Sequence, residues 1–184
     1  MARQNTWTNS DGLVVGYGTH TVDNQVPAVT GEVGSPVKYM TMVITGTGLE
    51  DIGSLTAASL YPQGAIIRRG SRIQRATLVV TEAFSTGSSP TLTIGTVKWD
   101  AVGTVDDLDG IDATIAATAI DTVGEVVACD GALVGATSGV TTVGATSNSD
   151  VRVVAGYATA AFTTGKAILT IEYVEPALGE TVVN

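Results

Sequence analysis

The chain has 184 residues, room for one domain of ordinary size that buries roughly 70% of its surface. Valine (25), threonine (28) and glycine (22) supply 75 of them and charged residues only 15%, which suits strands and tight corners and leaves little material for long exposed helices. Eighteen acids against nine cations give a charge of −9 and a pI near 4.3, which argues against a nucleic-acid partner.

In chain order, residues 1–36 read as an extended N-terminal arm. Met1 to Gly18 lacks the basic-then-apolar pattern of a signal peptide. Met1 to Asp11 is polar around a single Trp7, and Gly16, Gly18, Pro27, Gly31, Gly34 and Pro36 follow with almost no periodicity. Such a segment lies disordered or drapes over a neighbour. Trp7 is either an anchor in a partner or packs back on its own domain. His20, beside Gly18 and Thr19, reads as a surface loop residue.

The compact part, residues 37–174, begins with a strand from Lys38 to Thr45 in which Met40, Met42 and Ile44 share a face. Leu49 to Pro62 is a loop or a short helix. Gly64 to Ile67 leads into a long strand, Arg72 to Phe84, with Ala76, Leu78, Val80 and Phe84 on one side. Ser85 to Pro90 is a turn by composition, and Thr91 to Trp99 is expected to return as the partner strand. An acidic loop from Asp100 to Asp112 follows, then Ala113 to Ala119, with material for a turn or two of helix capped by Asp112. Val123 to Cys129 is a strand. Gly131 to Asp150 is a long loop or loosely paired edge strands. The expected close is a hairpin, Val151 to Tyr157 out and Lys166 to Val174 back, before a flexible tail at 175–184.

Ala83-Phe84-Ser85-Thr86-Gly87 is echoed by Ala161-Phe162-Thr163-Thr164-Gly165, which suggests two hairpins of like design with an aromatic plug before each turn. Several short strands with turn signals at this spacing predict an all-β, jelly-roll-like β-sandwich in a single domain. No window of roughly 18 apolar residues occurs, so no membrane partner is expected.

Reactive constellations are sparse. Cys129 and His20 stand alone, too few for an intrachain disulfide or a zinc site of the usual kind. Gly135-Ala136-Thr137-Ser138-Gly139 places its serine one position too late for a nucleophile elbow. Thr164-Gly165-Lys166-Ala167 lacks the earlier glycine and the following Ser/Thr of a phosphate loop. No catalytic residue and no cofactor is expected. Asp106, Asp107, Asp109 and Asp112 are candidate Ca²⁺ ligands, although Asp112 and Thr118 break the EF-hand pattern started at Asp107. Arg68, Arg69, Arg72 and Arg75 hold four of the nine cations within eight residues. They read as an interface for acidic groups of a neighbouring molecule or as a solvated strand edge.

Asn5-Thr6-Trp7-Thr8-Asn9-Ser10-Asp11-Gly12-Leu13-Val14-Val15-Gly16-Tyr17-Gly18 resembles the opening of a family of small structural proteins of tailed-phage virions. Ala161-Phe162-Thr163-Thr164-Gly165-Lys166-Ala167-Ile168-Leu169-Thr170-Ile171-Glu172-Tyr173 resembles its close. The resemblance implies a β-rich virion protein of the head decoration, or capsid cement, type. It further implies a homotrimer bound to the major capsid protein on the outer surface of the head, made in the host cytoplasm before assembly. A tail or neck component and a head-fibre-like, host-surface glycan-binding module are the alternatives.

Overall fold

The computed structural model describes residues 6–8, 14–16, 37–54, 66–85, 89–101, 104–135 and 142–175. Two compact units divide the chain, Met1–Ser35 and Pro36–Asn184. In the first, β1 (Thr6–Thr8) pairs antiparallel with β2 (Val14–Gly16), so the arm contains a short hairpin that its composition did not announce. The C-terminal tail, residues 175–184, lies outside the described residues apart from Glu175.

The second unit holds β3 (Val37–Thr45), β4 (Ile66–Ile67), β5 (Arg72–Ser85), β6 (Thr91–Lys98), β7 (Val105–Ala116), β8 (Val126–Ala128), β9 (Val151–Ala158) and β10 (Thr164–Val174). Only short 3-10 turns, at Gly46–Gly48, Ile52–Ser54 and Ala117–Ala119, interrupt them among the described residues. The strands form two four-stranded sheets in the orders β3-β10-β5-β8 and β4-β9-β6-β7, every pair antiparallel. First pairs with last, second with next to last, and so inward, the wrapped order of a jelly roll. The fold is all-β, a jelly-roll sandwich.

Period-two patterning explains the core between the sheets. Met40, Met42 and Ile44 of β3 face inward with Ala76, Leu78, Val80 and Phe84 of β5 and Ala167, Leu169, Ile171 and Tyr173 of β10, all buried. Leu92 and Ile94 of β6, Ile111 and Ile115 of β7, and Val151, Val153 and Ala155 of β9 meet them from the other sheet.

Both expected hairpins are absent. β5 and β6 lie in different sheets, and so do β9 and β10. The chain passes from one sheet to the other between β5 and β6 and again between β9 and β10 instead. The described residues of the echoed segments lie at these two passages, and they meet. The Phe84 and Phe162 rings pack edge to face with centroids 5.2 Å apart. The Thr163 backbone N–H and Oγ1 both donate to the Ser85 carbonyl, at 3.0 and 2.9 Å. Gly165, at φ +123°, admits the Phe84 ring where a Cβ would lie 2.3 Å from Cγ.

The acidic stretch is also not a loop over its whole length. Asp106 to Asp112 lie within β7, and Asp112 caps no helix. Its Oδ1 accepts the Thr114 N–H at 3.0 Å within the strand, and the alanine-rich stretch ends β7 and forms the third 3-10 turn. Between 131 and 150 the described residues form turns with one isolated bridge, Ile73 to Val134.

Candidate functional site

β7 owes its shape to a large bulge. β6 advances two residues, from Ile94 to Thr96, while β7 advances five, from Asp112 back to Asp107. The bulged backbone lies so close over Gly95 that a Cβ there would sit 2.1 Å from the Leu108 carbonyl carbon. Leu108 packs on Val97 and Val154, which puts it on the outer face of the second sheet. Glu50 and Ile52, from the connection after β3, cover Gly156 on the same face, and the Glu50 carbonyl accepts the Tyr157 N–H at 2.9 Å. The chain therefore roofs this sheet itself, and β6 is buried on both sides.

The four aspartates go to different partners. Asp106 is buried and turned toward the 142–150 turn, where its Oδ2 accepts from Gly144 N and Thr96 Oγ1 at 3.1 Å and its Oδ1 from Ser147 N at 2.8 Å. It ties two strands and a turn together. Asp107 and Asp109 lie in an open groove of about 510 Å³, lined also by Ile52, Thr93, Val105 and Ala158. Burial, followed by the hydrogen bond and charge of Asp109, pushes Asp107 up to about 6, so Asp107 holds a proton in mildly acidic solution. Asp112 is buried beside Cys129, and burial raises its pKa.

Among the described residues no three His, Cys, Asp or Glu side chains converge on a point that would hold a metal ion. Cys129 is buried, and burial with the Asp112 and Asp130 charges pushes its thiol up to about 12, far from a nucleophile's range. Thr93 Oγ1, the hydroxyl in the groove, already donates to the Ala113 carbonyl at 3.0 Å. The groove thus sets the raised Asp107 carboxyl beside Asp109 and a threonine hydroxyl that is already engaged.

The arginine cluster is split by a turn. Arg68 and Arg69 follow β4 in the second sheet, and the Arg69 N–H donates to Asp150 Oδ1 at 2.9 Å. Arg72 and Arg75 lie on β5 in the first sheet, opposite Val174 and Glu172 of β10. All four side chains are exposed, and Arg75 pairs with Glu172 at 3.1 Å. Trp7 lies in β1, and its side chain is outside the described residues.

Patterning of β3, β5, β8 and β10 taken singly hides one further feature. Their registers place Val43, Ile168, Val79 and Val126 in one row across the outer face of the first sheet, and Val43 and Val126 are 50% and 63% exposed. Only the pairing reveals it.

No helix among the described residues is long and apolar enough to cross a membrane. No protein-family model matches the chain, and no curated protein sequence matches it. Among solved structures, a chain of the cyanophage Pam1 capsid asymmetric unit is similar over 87% of this chain and 98% of its own, with 16% identity and a TM-score of 0.42. A chain from the capsid of Ralstonia phage GP4 is similar over 83% of this chain and 90% of its own, with 21% identity and a TM-score of 0.41.

Proposed function

We propose that the chain is a structural protein of a tailed-phage virion, a decoration or cement protein that binds the outside of the head. In this reading it assembles as a homotrimer on the major capsid protein and stabilises the shell through contacts between subunits. The observation that carries the reading is the resemblance of both ends, Asn5 to Gly18 and Ala161 to Tyr173, to such proteins. The second of these segments is the crossing at Phe162 plus nearly all of β10, the strand that joins β3 to β5.

The architecture supports it. A jelly roll is a rigid sandwich that viral shells reuse, and a cement protein needs area and reach rather than a reactive group. The exposed arginines and the open sheet face supply area. The reading assigns no catalytic role to any residue.

Copy number and position on purified particles, by quantitative mass spectrometry with imaging of the shell, test it. Hundreds of copies on the head lattice are expected. A dozen or fewer, confined to the tail or one vertex, would overturn the cement assignment.

A further inference from the structure

The charges of the second unit are sorted along the sandwich. One end is built from the turns at 68–71, 99–101 and 142–150. The Arg69 N–H to Asp150 Oδ1, Gly70 N–H to Val143 carbonyl and Trp99 N–H to Asp150 carbonyl bonds tie them together, at 2.9, 2.8 and 3.1 Å. With the adjoining strand ends they hold six of the eight described cations, Lys38, Arg68, Arg69, Arg72, Lys98 and Arg152, against four acids, Asp100, Asp106, Asp150 and Glu175. The opposite end holds Glu50, Asp51, Glu82, Asp121 and Glu125 against Lys166. Lys38 pairs with Glu175, Lys98 with Asp100 and Arg75 with Glu172, and Lys166 stands opposite Glu82. Arg68, Arg69, Arg72 and Arg152 form no ion pair among the described residues. Arg152 is half-buried opposite Ile66 and Val97, and its Nε is buried without a hydrogen-bond partner. Ile66 and Trp99, 46% and 44% exposed, lie at this same end. Asp107 and Asp109 stand on β7, two strands away from Arg152.

We propose that this arginine end is where the unit docks on a carboxylate-bearing surface of a different protein. The inference rests on the reading above and deepens it, by naming the end that meets the shell and the chemistry it meets there. Acids outnumber cations two to one in this chain, yet four arginines gathered at one end take none of them. Guanidinium groups bind carboxylates through paired, charge-assisted hydrogen bonds. Part of the Arg152 guanidinium is already out of water, so less hydration is lost when a carboxylate arrives. Trp99 and Ile66 add apolar anchors, and aromatic side chains beside arginines mark the energetic centres of protein interfaces. A long polyanion such as nucleic acid would also meet the −9 of the whole chain, whereas a protein surface presents its carboxylates locally. The acidic opposite end repels that same surface and fixes which way round the molecule lands.

An oligoglutamate peptide titrated against the full chain tests the surface, with Trp7→Phe leaving Trp99 as the one indole that reports by fluorescence. A saturable change in Trp99 emission is expected, and it weakens as salt rises. Arg68→Glu combined with Arg69→Glu, at exposed positions, should weaken binding by about tenfold or more while the circular dichroism stays that of wild type. Lys166→Gln, at the opposite end, should leave binding unchanged. No binding overturns the inference, and so does binding that the arginine variant leaves intact. Arginine-dependent binding of a short single-stranded DNA, as tight as that of the peptide, overturns it in favour of nucleic acid. Oligomers in sedimentation velocity that the arginine variant dissociates overturn it in favour of a second copy. Purified phage heads then separate this surface from the cement reading. A chain that binds the peptide through its arginines yet ignores heads sinks the cement reading alone. Heads bound equally by wild type and by the arginine variant overturn the inference and leave the cement reading standing.

Discussion

Asp106 accepts hydrogen bonds from Thr96, Gly144 and Ser147, and alanine there leaves two backbone N–H groups without an acceptor. Asp106→Ala should cost about 3 kcal/mol in chemical denaturation, an effect added calcium does not restore. Asp107 acts in the opposite sense. Its pKa is raised from 3.8 to about 6, so the folded state binds the proton more tightly than the unfolded chain. Its contribution to stability is therefore fully present below about 4 and is lost as pH rises through about 6. Asp107→Asn removes that loss: melting curves should place the variant above wild type at neutral pH, with the gap closing toward the acid end of the window. Cys129, with its thiol pushed up to about 12, should resist alkylation in the native protein at mildly basic pH and react at once when the chain is unfolded. The acidity of these residues was legible in the sequence, but their separate duties were not. Composition cannot say which carboxylate of a run points at a turn and which at a groove.

Strands were easier to read than their neighbours. The alternation in β3 and β5 sorted their side chains by face, and in each the more apolar set is the buried one, because burial on one side of a sheet imposes period two whatever the partner. Pairing was not legible, since Ser, Gly and Pro at 85–90 signal that the chain turns without saying which sheet it enters. β7 was hidden for another reason: aspartate and glycine are poor strand formers, and the bulge over Gly95 breaks the alternation. The Phe84–Phe162 crossing offers a direct test at this scale. Gly165→Ala puts a methyl into the Phe84 ring at a backbone angle that L residues rarely adopt, and should cost about 3 kcal/mol or more in urea unfolding. A cost near zero would mean the two crossings are not packed as described.

At the scale of the whole molecule, the jelly roll and the arm have separable duties under the proposed function. Deleting Met1 to Asp11 should weaken particle binding while the melting temperature of the domain shifts little, as the described core lies in the second unit. Equal particle affinity of truncated and full-length protein would remove the arm from the account. The wrapped strand order also governs how the chain comes into being. β10 is a central strand, and its Val174 pairs with Val37 at the start of β3. During synthesis β3 emerges with no neighbour to accept its backbone groups and waits for more than a hundred residues, roughly ten seconds at common elongation rates, before β10 exists. The first sheet is thus assembled after most of the polypeptide has left the ribosome. Until then Met40, Met42 and Ile44 have no β10 to pack beside, and β3 is an unpaired apolar strand open to pairing with other chains.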